Sequence, residues 1–502
     1  MGTVDKLLDC RRRRAEIEKG GGEEKIKLQH DAGKKTARER VLLLLDEGSF
    51  IETDAFASFG TADANAEGVI TGYGSVDGRL IFVYAQDVTV IGAALGEMQA
   101  KKICKVMDMA AKMGAPIVAM IDSNGLRLKE GLASLAGYGE IFKRNVALSG
   151  VIPQITAVMG NAAGAFSFAP ALSDFVFMVD GKSEMFMNAQ KVIEGVTGDK
   201  AEDISSATVH SEKSGSCHFK VSNDDECIAM IRKLISYLPS NNLEDAPYEV
   251  ASDDINRISE VLTNLIPDNA DGEYDVKVAI SEIVDLGSFM EVLPDFAKNI
   301  VTGFARMNGM TVGIVANNGM LDIKASNKAS RFVRFLDAFN IPVITLTDVE
   351  GYKECACQEL RGLSSHASKL LYAYAEATVP KVNVVLRKAY GAAYLAMCSK
   401  HIGADLVLAW PTAEITPLSP EAAANLLYAD EIGESNDPIL ARKEKTQEYR
   451  DNDANPFEAA KMGYVDDVIE PDSTRPRIIA ALEMLLSKRE TAPSKKHGNI
   501  PM

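Results

Sequence analysis

Two stretches of the chain, IPQITAVMGNAAGA (Ile152 to Ala165) and VPKVNVVLRKAYGA (Val379 to Ala392), overlay without a gap at an offset of 227 residues. Each runs β-branched residues into small ones. A strand that ends in a small-residue turn and continues as a helix leaves the first backbone N–H groups of that helix without intrahelical acceptors. At Gly164-Ala165 and again at Gly391-Ala392 the missing side chains allow a carbonyl oxygen to approach those amides, where developing negative charge is stabilised. Removing one such donor typically costs about 2.7–4 kcal/mol of transition-state stabilisation. The bland alternative is that small residues only let a helix pack tightly on a sheet, and one copy of AAGA does not decide between the two readings.

The duplication reaches further back. APIVAMIDSNG (Ala115 to Gly125) answers to NIPVITLTDVEG, with Pro116, Asp122 and Gly125 falling on Pro342, Asp348 and Gly351 at an offset of 226. Two similar units in one order imply one duplicated fold, and 502 residues exceed what one hydrophobic core usually reaches. From Ala115 onward, short buried strands alternate with helices, the pattern of an α/β layered fold. The polar, turn-rich segment from Pro239 to Arg257 holds the expected boundary, giving an N-terminal domain over 1–245 and a C-terminal domain over 246–502. Residues 1–50 read as a charged helical arm, with Thr36 capping a helix that carries Arg38 and Arg40. Val76-Asp77-Gly78 signals a hairpin, and LGEMQAKKICKVMDMAAKMG reads as a helix ending at Gly114.

Other chemistries find little support. The chain has no GxxxxGK[ST] phosphate loop and no GxSxG elbow. Its six histidines form no HxxxH or carboxylate cluster, so no metal is expected. Of seven cysteines only Cys355 and Cys357 lie close, without a second pair at zinc spacing, and reduced thiols are the default expectation. A formal charge of −17 argues against nucleic acid or an anionic membrane as partner. No apolar signal region and no apolar segment of about 18 residues appear, which points to the cytoplasm.

The strings VIPQITAVMG with PALSDF, ARERVLLLLDEGSF, GVITGYGSVDGRL, LLYAYAEATVPKVNVVLRKAYGAAYLAM, SKHIGADLVLAWPTAEI and the ending KKHGNIPM together resemble the carboxyltransferase (β) subunit of biotin-dependent acyl-CoA carboxylases. Within that family the propionyl-CoA carboxylase and methylmalonyl-CoA decarboxylase α-subunit branch is most similar. The resemblance implies a tandem crotonase-like fold, a ring-shaped homo- or hetero-hexamer, and active sites shared between the N-half of one subunit and the C-half of another. It implies transfer of a carboxyl group between carboxybiotin and a short-chain acyl-CoA, with two oxyanions to stabilise: the thioester enolate and the ureido oxygen of biotin. Gly164, Ala165, Gly391 and Ala392 match the family's main-chain donors. Ala94, Leu95 and Gly96, together with Gly125 and Arg127, match its CoA-side loops, although an arginine such as Arg127 is more often a salt-bridging scaffold residue than a phosphate ligand. Leu395 matches an acyl-pocket position, and Phe166 stands where it lines or fills that space.

The AAKM string (Ala110 to Met113) lies in a predicted helix, so biotin is expected on a separate carboxyl carrier protein. Biotin carboxylase or a membrane decarboxylase subunit completes the expected complex, the latter making this chain peripheral to a membrane. The family commonly has DSGGARIQEG, GPCAGGA, YGGAY and DVPGFLPG where this chain has DSNGLRLKEG, GNAAGAF, YGAAY and DVEGYKEC. After VANN, which ends at Asn318, residues are missing, and PLSPEAA replaces VMGPEGA. These departures keep a second reading open, a weak or silent paralogue that serves as a structural subunit of a hetero-oligomer.

Overall fold

The structure, a computed structural model, describes residues 2–58, 66–198, 200, 203–251, 253–269, 272–317 and 319–501. Asn318, at the expected deletion, lies outside them. The chain divides into two compact units, Met1–Asp245 and Ala246–Met502.

The first unit opens with the arm helices α1 (Thr3–Glu18), α2 (Glu23–Asp31) and α3 (Ala37–Leu44). Thr36 caps α3 in a capping box, its hydroxyl accepting from the Glu39 N–H at 3.3 Å while the Glu39 carboxylate accepts from the Thr36 N–H at 2.7 Å. That cap sets the helix phase that turns Arg40 inward, where it is buried. The eight strands β1 (Ile51–Thr53), β2 (Val69–Val76), β3 (Arg79–Gln86), β4 (Ile117–Ser123), β5 (Gln154–Ala163), β6 (Phe175–Val179), β7 (Glu184–Phe186) and β8 (Phe219–Val221) form one sheet in the order β1-β2-β3-β4-β5-β6-β8, with β7 on β5. Asp77 and Gly78, both at positive φ (50° and 77°), close the β2–β3 hairpin with Val76 opposite Arg79. Strands β3 to β6 are parallel and buried along most of their length, as in a sheet covered on both faces. On it, α4 (Glu97–Met113) buries Ala100, Ile103, Met107 and Ala110 at helical spacing and stops at left-handed Gly114. The AAKM string is the last turn of this helix.

The second unit repeats the plan with β9 (Met290–Val292), β10 (Ile300–Met307), β11 (Met310–Asn317), β12 (Val343–Val349), β13 (Lys381–Tyr390), β14 (Leu406–Ala409), β15 (Glu414–Thr416) and β16 (Asp467–Val468), ordered β16-β14-β13-β12-β11-β10-β9 with β15 on β13. Its core holds Val301, Ile314, Leu346, Val384 and Trp410, whose indole N–H donates to Thr474 at 2.9 Å. In both sheets the register slips at the same place, around Asp122 where β4 meets β5 and around Asp348 where β12 meets β13. Such a bulge re-aims the strand end. One expectation is corrected here: Cys355 and Cys357 are joined as a disulfide, their Cα atoms 5.2 Å apart, while the other five cysteines are free. Two residues of separation in an extended turn bring the thiols within bonding reach.

Candidate active site

At the end of β5 the backbone passes from extended Ala163 through Gly164 at φ 62° into the helical turn Gly164–Ser167 and the helix Phe168–Leu172. At the end of β13 it passes from extended Tyr390 through Gly391 at φ 55° into the helix Gly391–Ala396. The same sequence of extended, left-handed and right-handed residues is thus built twice. Left-handed φ is the position where only glycine is free of strain, and both halves keep glycine there. Ala165 and Ala392 stand one residue later, at negative φ, so a methyl group costs nothing in backbone geometry. A Cβ at Gly164 would meet no atom within 4 Å, so the backbone is open to approach, whereas one at Gly391 would meet the Pro417 carbonyl oxygen at 3.0 Å.

The loops matched to the CoA side are joined to each other by their backbones. The Leu95 N–H donates to the Gly125 carbonyl at 2.8 Å and the Arg127 N–H to the Leu95 carbonyl at 3.0 Å. The second half repeats the stitch, with the Leu321 N–H on the Gly351 carbonyl at 3.0 Å and the Lys353 N–H on the Leu321 carbonyl at 2.7 Å. Ahead of Leu95, Ile91, Gly92 and Ala93 all have positive φ (51°, 62° and 47°), a strained turn held by the Asn124 N–H on the Gly92 carbonyl and the Ser123 hydroxyl on the Ala93 carbonyl. Leu95 and Gly96 are buried, while Ala94 is half-buried.

Arg127, expected near CoA phosphates, spends its charge inside the scaffold. It pairs with Glu67 and Glu130, each at 2.7 Å, and is 8% exposed. Desolvation pulls its pKa down, but the hydrogen bonds and charges of the two carboxylates together outweigh it and raise the pKa. Glu130 also accepts the Glu97 N–H at 2.6 Å, closing the start of α4. Phe166 does not line the open side of its turn; it is fully buried in the core with its ring 5.5 Å from that of Tyr138. Leu395 stays partly exposed.

Sequence reasoning aligned Asp122 with Asp348 but gave neither a role. Both are buried at the bulges, and they are neutralised differently. Asp122 takes Lys34 at 2.6 Å and Arg40 at 3.3 Å, both from the arm, and Arg40 also bonds Asp224 at 2.8 Å and the Met159 carbonyl at 3.1 Å. Asp348 takes Arg387 at 3.0 Å and the Lys388 N–H at 3.0 Å, with the Arg387 guanidinium 5.1 Å from the Tyr274 ring. Arg387 occupies the position equivalent to Gly160, over which the Asp122 carboxylate lies so closely that a Cβ there would sit 1.8 Å from it. The signal was present as two aligned aspartates facing unlike partners, one glycine and one arginine.

Residues 28–500 match the family described as carboxyl transferase domain. The chain belongs to the carboxyl transferase family. It is 50% identical to the methylmalonyl-CoA decarboxylase subunit alpha of Propionigenium modestum, over 100% of this chain and 99% of that one. It is also 50% identical to the propionyl-CoA carboxylase carboxyltransferase subunit of Haloferax mediterranei, over the full length of both. Among solved structures, the transcarboxylase 12S hexamer with methylmalonyl-coenzyme A and methylmalonic acid bound aligns with a TM-score of 0.97 and 44% identity, covering 100% of this chain and 99% of that one. The carboxyltransferase fold is the tandem crotonase-like one, and the chain is an enzyme subunit of this class. Among the described residues no helix is long and apolar enough to cross a membrane.

Proposed function

We propose that this carboxyltransferase moves a carboxyl group between carboxybiotin, carried on a separate protein, and a short-chain acyl-CoA of the propionyl/methylmalonyl type. The observation that carries the reading is the duplicated turn, in which left-handed Gly164 and Gly391 each lead a strand end into a helical turn. The amides of Gly164 and Ala165, and of Gly391 and Ala392, supply donors to two oxygens that gain charge, one on the thioester and one on the ureido group. Carboxybiotin supplies the carboxyl group; the chain contributes orientation and charge stabilisation without a side-chain nucleophile. Ala94 to Gly96 and Gly125 border the CoA side through backbone groups, and Leu395 meets the acyl chain. The relatives named for methylmalonyl-CoA and propionyl-CoA support the substrate class. A biotin carboxyl carrier protein, a biotin carboxylase or membrane decarboxylase subunit, and a hexameric assembly complete the reading.

An active chain fits the geometry better than a silent structural subunit. The substituted positions Ala165 and Ala392 keep their amides at unstrained φ, and Phe166 is absorbed by the core. The test is transfer of labelled carboxyl from methylmalonyl-CoA to a biotinylated carrier, with propionyl-CoA as acceptor in the reverse direction. Biotin-dependent transfer supports the reading. No transfer with any short acyl-CoA, from protein that assembles and binds the carrier, overturns it in favour of the structural subunit.

A further inference from the structure

Three residues before each turn glycine, a side chain crosses from the strand end to the loop after the preceding strand. In the first half Asn161 Nδ2 donates to Asn124 Oδ1 at 3.3 Å. In the second, the Lys388 ammonium donates to the Glu350 carboxylate. The two crossings are equivalent: Asn161 and Lys388 lie 227 residues apart, Asn124 and Glu350 lie 226 apart, and each loop residue stands two past the bulge aspartate. Their chemistry differs. The first is a neutral pair of amides on the surface; the second joins a lysine side chain that is 7% exposed to a glutamate side chain that is 40% exposed.

Both ends of the ionic crossing are fixed independently. Glu350 precedes Gly351, whose carbonyl holds the Leu321 N–H, and Lys353 returns a bond to Leu321. On the other side, the Lys388 N–H is bonded to Asp348, and Lys388 pairs with Glu414 in the β13–β15 register, where Glu414 also accepts the Tyr390 hydroxyl. Residues 388 and 390 are therefore held from two sides immediately before Gly391. A crossing bond between two anchored elements fixes position more than it adds stability, since a partly exposed ion pair is worth little energetically.

We propose that Lys388 and Glu350 are positioning residues of the carboxyl-transfer reaction, setting the Gly391 turn for one of the two substrates, as Asn161 and Asn124 set the Gly164 turn for the other. The assignment rests on the reading under Proposed function. It gives the two halves of a duplicated fold separate, individually adjustable controls. The ionic control also carries a charge requirement that the amide control lacks.

The test compares Glu350→Ala, Asn124→Ala and the swapped double variant Glu350→Lys with Lys388→Glu, in the full chain. Amide hydrogen exchange is followed over 164–167 and 391–396, and KM and kcat are measured for the acyl-CoA and the biotinylated carrier. Glu350→Ala is expected to speed exchange at 391–396 by roughly tenfold and leave 164–167 unchanged. It should also lower kcat/KM for one substrate by up to about 100-fold while sparing KM for the other. Asn124→Ala is expected to do the converse, and the swap to restore exchange and rate together. Unchanged exchange at 391–396 in a folded Glu350→Ala protein overturns the proposal, as does equal loss for both substrates. Exchange is read without turnover, so a wild-type chain that moves no carboxyl group fails the functional reading by a different measurement.

Discussion

A methyl group added at the two turn glycines should cost unequal amounts, because the glycines share a backbone conformation but not a neighbourhood. Left-handed φ costs an L-residue about 1–2 kcal/mol. At Gly164 the added Cβ meets nothing within 4 Å, so Gly164→Ala should lose only that backbone cost of about 1–2 kcal/mol. At Gly391 the Cβ meets the Pro417 carbonyl oxygen at 3.0 Å, and backbone cannot swing aside as a flexible side chain would. The steric term adds about 1 kcal/mol or more, bringing Gly391→Ala to about 2–3 kcal/mol. Relief of that contact moves the turn itself, so its amides leave their aim and transfer should fall by about 100-fold. Ala165→Gly and Ala392→Gly, at positions already right-handed, should cost less than about 1 kcal/mol and leave the rate nearly intact. Urea unfolding midpoints and single-turnover carboxyl transfer measure the two terms separately. A Gly391→Ala protein as stable as Gly164→Ala, or one that transfers at the wild-type rate, refutes the assignment of these turns.

Three further outcomes follow from two buried cations and from the Cys355–Cys357 bond. Arg40→Met leaves Asp224 facing no guanidinium inside the first unit and should lose about 3–5 kcal/mol in denaturant, less whatever Lys34 continues to supply to Asp122. Burial pushes Lys328 down from 10.5 to about 8 although three carbonyls (Leu293, Phe296 and Ile300, at 2.7–2.9 Å) accept its hydrogen bonds. A native lysine that releases its proton near pH 8, against 10.5 when unfolded, destabilises most below pH 8, and stability recovers between those values; relative to Lys328→Met, the wild type should gain up to about 3 kcal/mol across that range. Denatured, unreduced protein should take up five alkyl groups by mass and seven after reduction, because Cys355 and Cys357 are bonded; seven without reductant would contradict the disulfide.

The duplicated turn was legible because it is written in residue types: glycine where φ is positive, small residues after it, β-branched strands before. The hairpin at Asp77-Gly78, the Thr36 cap and the Gly114 stop were legible for the same reason, since each is a local conformational demand that few residues meet. What escaped depends on where side chains end up. Arg127 reads in sequence more readily as a strut than as a phosphate ligand, but its partners Glu67 and Glu130 appear only in the fold. Phe166 beside a small-residue turn reads as lining or filling the pocket until the fold buries it in the core. The crossings at Asn124–Asn161 and Glu350–Lys388 join residues 37 and 38 positions apart, a distance at which pattern carries no signal unless the two halves are overlaid.

That overlay also explains why divergence gathers at the strand ends. Each sheet carries an aspartate at its bulge, and a buried carboxylate there needs a cation. In the second half the cation is built into the strand as Arg387, so that half satisfies its own site. In the first half the equivalent residue is Gly160, and the cation must come from the arm, through Lys34 and Arg40. Arg40 at the same time clamps Asp224 and the Met159 carbonyl, one residue before Gly160 and five before the Gly164 turn. The arm is therefore part of what shapes the first turn, whereas the second is shaped from within its own strand. Duplication preserved the backbone demand, glycine at the turn and aspartate at the bulge, and left the source of the neutralising charge free to differ.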